Sequence, residues 1–176
     1  MPANPRQYPE TAEEVLDQHF TVRNGVMHAM RRFRAARPYQ GTLRQRLRKF
    51  ARLTATLARI YEIDPPNLAV CRVPEMTHAS GCYVAESHTI VFINRLSVVT
   101  FLHEFRHACG RRSEREACRW SINLFRRAFP DEYRRLTPVG HRLLRVDDTE
   151  LPAGERITLT PEEVAEEAIN AQSDRG

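Results

Sequence analysis

The sequence predicts an α+β fold, and three observations support this. Residues 42–63 repeat apolar side chains at helical spacing, three short segments between residues 67 and 94 are rich in β-branched and aromatic residues, and residues 97–125 match two further helices. With 176 residues and 41% hydrophobic content, the chain can bury a core. We expect a basic helical extension over residues 1–64, a core over 65–146 and an acidic tail with a short helix over 147–176.

The N-terminal extension is predicted to contain three helices. Thr11 lies three residues before Glu14 in "TAEEVLDQHF", which is the spacing of a capping box. A second helix should run from about Val26 to Ala36, and the clearest amphipathic pattern extends from Thr42 to Ile63. The extension is also strongly basic, since residues 18–61 contain eleven Arg or Lys and no Asp or Glu.

The core is predicted to begin with a small sheet. "NLAVCRV", "CYVAE" and "TIVFI" have strand composition, and only the turn "SH" separates the last two, which predicts a hairpin. "TIVFI" is apolar throughout, so "CYVAE" is expected to be the edge strand.

Helices are predicted to follow the sheet. One should run from about Arg95 to Cys109 and end at Gly110, and a second from Ser113 to about Ala128. "DEYRRL" suggests a further helical turn, and "TPEEVAEEAINAQ" has the threonine and proline of a helix start.

Composition excludes several classes of protein. The chain has no run of eighteen apolar residues, and its first residues lack the features of a signal peptide, so we expect a cytoplasmic protein that does not enter a membrane. Its four cysteines fit neither a CxxC zinc pair nor a dense disulfide framework, so we expect reduced and mostly buried thiols.

The motif "HEFRH", residues 103–107, matches the HExxH pattern, which predicts a metal site with a general base. A helix places His103 and His107 one turn apart on one face, so both imidazoles can reach the same Zn²⁺ ion. Glu104 beside them is the candidate general base, which would take a proton from a water as it attacks a carbonyl carbon. Phe101, Leu102 and Phe105 fall on the opposite side of the helix, which predicts separate metal and core faces.

A catalytic zinc ion needs a third protein ligand. Ser113 stands where the HExxHxxGxxH motif has its third histidine, which leaves Glu114, Glu116 and His141 as candidates. Glu114 shares a helix face with Cys118 and the apolar residues that follow, whereas Glu116 points about 200° away. A capping box with Ser113 would explain Glu116 without a metal. We therefore prefer Glu114, with Glu116 and His141 as alternatives.

"TFLHEFRHA" followed by "SEREACRWSINLF" resembles the core of the ImmA/IrrE-type zinc metallopeptidases, and the resemblance covers about residues 81–128. It implies a zincin-like fold that cuts a peptide bond, with His103, His107 and Glu114 holding zinc and Glu104 as general base. Members of that family often cleave DNA-binding repressors, so the resemblance also implies that a DNA-associated protein is the substrate.

Two weaker expectations concern binding. An extended peptide could pair with the edge strand of the hairpin, where Tyr83 and His88 are candidate substrate contacts. Arg44, Arg48 and Arg52 form a basic stripe on the long helix, which could follow a nucleic-acid backbone. An alternative function is therefore a nucleic-acid-binding accessory protein on an inactive scaffold, although a solvated helix face explains the same stripe.

Overall fold

The computed structural model describes residues 7–73, 79–145, 157–160, 162, 163 and 166. Its described part is a mixed α+β structure, as the sequence predicts. The helices are a 3₁₀ turn (Glu13–Val15), α1 (Val26–Ala35), α2 (Leu43–Tyr61), α3 (Val98–Ala108), α4 (Glu114–Ala128) and α5 (Pro130–Arg134). The strands are β1 (Asn67–Cys71), β2 (Gly81–Val84), β3 (Thr89–Ile93), β4 (Leu136–Val139), β5 (Arg142–Arg145) and β6 (Ile157–Leu159).

The predicted N-terminal helices form, although the first is short. Thr11 and Glu14 make the expected contact, since the Thr11 N–H donates to the Glu14 carboxylate at 2.9 Å. The segment nevertheless continues only as the 3₁₀ turn and not as an α-helix. α1 and α2 are confirmed, and Thr42 begins α2 with a complete capping box to Gln45.

The four-stranded sheet has the order β2-β3-β1-β6. β2 and β3 form the predicted antiparallel hairpin, and β3 pairs in parallel with β1, where Asn67 faces Thr89. Within the described residues β2 therefore lies at an edge of the sheet, as expected from the apolar character of β3.

Three strands were not predicted. β4 and β5 form a separate antiparallel hairpin around Gly140 and His141, and β6 pairs with β1 on the side away from β3. "DEYRRL" forms α5 in part. In the predicted C-terminal helix, the Thr160 N–H donates to the Glu163 carboxylate at 2.9 Å, while most of that helix lies outside the described residues.

One hydrophobic cluster joins the N-terminal helices to the sheet and to α3 and α4. Phe50 of α2 lies at its centre, with ring centroids 5.3 Å from Phe92 of β3 and 5.6 Å from Phe101 of α3. Phe105 extends the cluster toward Trp120 of α4. The core therefore fixes α3 and α4 from one side and leaves the other side of α3 for polar groups.

The face of α4 opposite Glu114 is not fully exposed, which the helical pattern did not predict. Helical spacing puts Asn123 about 180° from Glu114, on that outer face, yet it is completely buried. Its side chain accepts the Asp17 N–H at 2.9 Å and donates to the Val15 carbonyl at 2.7 Å. The chain before α1 covers this part of α4, and a long-range contact of this kind leaves no trace in local periodicity.

The structure bears on two features that composition addressed, the apolar length of the helices and the burial of the cysteines. None of the described helices is long and apolar enough to cross a membrane. The prediction that most of the cysteines are buried is wrong, because only Cys118 is buried, Cys71 and Cys109 are partly buried, and Cys82 is exposed.

Candidate metal centre

The two motif histidines and Glu114 converge on one point between α3 and α4. His103 Nε2 lies 2.9 Å from Glu114 Oε2, His107 Nε2 lies 3.3 Å from the same oxygen, and the two Nε2 atoms are 3.1 Å apart. Among the described residues, this is the group of His, Cys, Asp and Glu side chains whose geometry could hold a metal ion. We call these three residues the ligand cluster.

Helix caps and a glycine turn bring the ligand cluster together. Ser97 caps α3 by accepting the Thr100 N–H, and Ser113 caps α4 by accepting the Glu116 N–H, each at 3.2 Å. Gly110 has a φ of +80°, a left-handed conformation that allows α3 to end and the chain to reverse. Glu114 thus begins α4 directly across from the last turn of α3.

Each histidine has a partner on its other ring nitrogen. His107 Nδ1 lies 2.6 Å from the Arg111 carbonyl oxygen, and because a carbonyl can only accept, Nδ1 carries the proton. The lone pair of a neutral His107 therefore lies on Nε2, directed toward the ligand cluster. His103 Nδ1 lies 3.7 Å from the Cys118 sulfur. Such outer partners orient imidazoles for metal binding.

The ligand cluster carries coupled charges. Burial acts to raise the pKa of the Glu114 carboxyl, but hydrogen bonds to His103 and His107 outweigh burial and hold that pKa well below its usual range. Burial acts to lower the pKa of His107, but the Glu114 carboxylate and the Arg111 carbonyl outweigh it and raise the pKa. The Glu114 carboxylate therefore favours the protonated form of His107.

Glu104 lies beside the ligand cluster and is 8% exposed. Burial raises the pKa of its carboxyl, while the neighbouring His103 and His107 and a hydrogen bond from the Tyr83 N–H of β2 oppose that rise. β2 can approach so closely because residue 81 is glycine. A Cβ on Gly81 would lie 2.5 Å from the Thr100 side chain.

The arrangement fits a small divalent ion with nitrogen and oxygen ligands. A tetrahedral Zn²⁺ with bonds of about 2.0–2.1 Å separates its ligand atoms by about 3.3–3.4 Å. The observed separations of 2.9–3.3 Å are slightly shorter, as expected when hydrogen bonds replace metal bonds. Two histidines and one carboxylate also form a ligand set known for catalytic zinc.

The alternative third ligands lie outside the ligand cluster. Glu116 turns away and pairs with Arg106 at 2.7 Å, so its carboxylate is not part of the ligand cluster. His141 comes closer to the centre, because the β4–β5 turn places it next to Tyr8, with ring centroids 4.2 Å apart. Burial, together with Arg142, lowers the pKa of His141.

The other predicted binding residues lie elsewhere. The Tyr83 hydroxyl is 2.7 Å from His88 Nδ1, and His88 Nε2 is 2.8 Å from the Asp64 carbonyl, so both side chains belong to the far end of the hairpin. Neither is among the described residues that line the cavity beside the ligand cluster. Arg44, Arg48 and Arg52 are exposed on α2, as expected, and nucleic-acid binding by them stays a prediction.

Reasoning from the sequence missed two residues at this centre. The sequence predicted Cys118 only as a thiol on the apolar face of α4, yet it also contacts His103, and burial raises the pKa of its thiol to about 12. Its position four residues after Glu114 could have revealed this contact. Tyr8 had no local signal, because its position depends on contacts with residues about a hundred positions later. Burial and the nearby Glu114 carboxylate raise the pKa of Tyr8.

Comparisons with known proteins identify no relative of this chain. The chain matches no model of a protein family, and searches of curated proteins and of solved structures found no significant similarity. The conclusions below therefore depend on the geometry of this chain.

Proposed function

We propose that this protein is a zinc-dependent peptidase with a zincin-like core. The observation that carries the proposal is the convergence of His103, His107 and Glu114 within 3.3 Å of one another, with the buried Glu104 next to them. Zinc bound there would supply a water of lowered pKa and polarise the substrate carbonyl. The resemblance to ImmA/IrrE-type peptidases leads to the same chemistry.

Glu104 is the residue that moves protons in this proposal. Its carboxylate takes a proton from the attacking water as the water oxygen bonds to the peptide carbonyl carbon. It then gives that proton to the nitrogen as the C–N bond breaks, which yields a carboxylic acid, still carrying the second proton of the water, and an amine. Burial suits this role, because a carboxyl with a raised pKa accepts a proton more readily near neutral pH.

The substrate is proposed to lie along β2. A cavity of about 260 Å³ adjoins His103 and Glu104 and is bounded in part by Ser80 and Gly81 at the start of β2. Because β2 is an edge of the described sheet, its outer backbone groups, apart from the Tyr83 N–H that donates to Glu104, are available to an extended peptide. This arrangement holds the scissile bond next to Glu104. A DNA-associated protein remains the proposed kind of substrate.

The zinc-loaded protein and its Glu104→Gln variant test the proposal. Both are incubated with a digest of cellular protein, and mass spectrometry counts new peptide termini. We expect cleavage by the wild type and at least about a 100-fold loss in Glu104→Gln, the contribution typical of a general base, at unchanged zinc content. Full activity in the variant would contradict the assignment of Glu104.

A further inference from the structure

The chain before α1 is held along α4 by polar contacts. The Asp17 carboxylate pairs with Arg119, and its backbone N–H donates to the buried side chain of Asn123. Nearer the N-terminus, the Ala12 N–H donates to the Gly140 carbonyl at 3.1 Å, which joins this segment to the β4–β5 turn. Two separate elements therefore determine where the residues just before Ala12 lie.

These contacts place Tyr8 at the edge of the ligand cluster. Its ring stacks on His141 at 4.2 Å between centroids and lies 6.2 Å from the His103 ring in a nearly parallel orientation. Tyr8 and His141 line the same cavity as Glu104.

Tyr8 borders the cavity without closing it. About 46% of the residue is exposed, and a volume of about 260 Å³ remains beside it. A substrate carbonyl placed next to Glu104 would then have the Tyr8 hydroxyl within the same small space. This placement matters because attack by water puts negative charge on the carbonyl oxygen, and a hydrogen-bond donor fixed near that oxygen lowers the barrier.

We propose that Tyr8 is a further catalytic residue of this site, with its hydroxyl donating a hydrogen bond to the oxyanion that forms on the substrate carbonyl. A phenol suits this role because it is a neutral donor at neutral pH, with an ordinary pKa of about 10. His141 stacks on the ring, with the two centroids 4.2 Å apart. This inference depends on the proposed peptidase function and adds a second catalytic residue to it.

Binding of a transition-state mimic tests this role without measuring turnover. A phosphinic dipeptide presents a tetrahedral centre with an anionic oxygen, whereas benzyl mercaptan binds a metal through sulfur and offers no oxygen. Isothermal titration calorimetry would measure both compounds against the zinc-loaded full chain, its Tyr8→Phe variant and Tyr133→Phe as a control. Tyr133 is a half-buried tyrosine of α5 that does not line the cavity.

We expect Tyr8→Phe to bind the phosphinic dipeptide about 10- to 100-fold more weakly, as for the loss of a hydrogen bond to a charged group. Benzyl mercaptan affinity, zinc content and the Tyr133→Phe control should stay unchanged. Equal affinity of wild type and Tyr8→Phe for the phosphinic dipeptide would overturn the role of Tyr8 alone. Tighter binding by Tyr8→Phe would also overturn it, because Tyr8 would then obstruct the site. A zinc-loaded wild type that binds neither compound would overturn the peptidase proposal as well.

Discussion

Two clusters of charged side chains flank the turn between α3 and α4. Each cluster combines one glutamate of α4 with two basic residues. The inner side contains Glu114, His103 and His107, and the outer side contains Glu116, Arg106 and Arg111. The closest contacts are also alike, 2.9 Å between His103 and Glu114 and 2.7 Å between Arg106 and Glu116. The two sides differ in the chemistry of their bases.

An imidazole can lose its proton and present a lone pair, whereas a guanidinium stays protonated and has only donors. The inner side can therefore exchange a proton for a metal ion, while the outer side can form only an ion pair. Glu114 and Glu116 are the same residue type, but two positions along a helix turn Glu116 about 200° away from Glu114. The direction of each side chain separates them.

The largest expected difference between the two sides is in metal content. His103→Ala and Glu114→Ala each remove a ligand, so we expect zinc affinity to fall by more than the 10- to 100-fold typical of losing an outer partner. Elemental mass spectrometry of the purified proteins should find about one zinc per chain in the wild type and almost none in these variants. Glu116→Ala is the matched control and should keep its zinc. Equal loss of zinc in Glu116→Ala would break the distinction between the sides.

A smaller difference is expected in the pH dependence of metal binding. The raised pKa of His107 means that zinc must displace a proton from this residue below that pKa. Zinc affinity should therefore fall as pH decreases through the pKa of His107, by about tenfold per pH unit for one proton, and level off at higher pH.

Competition with a chelator at several values between about pH 5.5 and 8 would measure this profile. Glu116→Gln should reproduce the wild-type curve, because Glu116 pairs with Arg106 and Arg111 and lies outside the ligand cluster. An affinity that does not change with pH would show that His107 is not a ligand.

The smallest effect concerns the stability of the outer side. Glu116→Gln removes the charge that pairs with Arg106, but 37% of the Glu116 side chain is exposed, so solvent screens the pair. We expect the free energy of unfolding to fall by about 0.5–1 kcal/mol, measured by urea denaturation. A loss of several kcal/mol would show that the ion pair is a structural requirement.

Local periodicity predicted those parts of the centre that lie on regular helices. The spacing of His103 and His107 and the inward direction of Glu114 follow from 3.6 residues per turn, and the apolar faces of α3 and α4 orient both helices. β2 as an edge strand followed from the unbroken apolar character of its neighbour. Each of these predictions needed only a short stretch of chain.

Long-range contacts account for what the sequence did not predict. Tyr8 reaches the ligand cluster because Asn123 and Gly140 position the chain before α1, and neither partner is near it in sequence. β4, β5 and β6 are each three or four residues long, and pairing creates them rather than composition. His141 could not be placed for the same reason, since its position depends on the β4–β5 turn.

The position of β1 between two partners has a consequence for the order of folding. β1 pairs with β3 through contacts such as Leu68 with Ile90, but with β6 through contacts such as Leu68 with Leu159. Because entropy penalises closing the longer loop more, and because residue 159 leaves the ribosome much later, the β1–β3 pairing should form first. The ligand cluster lies between residues 103 and 114. During synthesis, it can thus assemble before β6 joins the sheet.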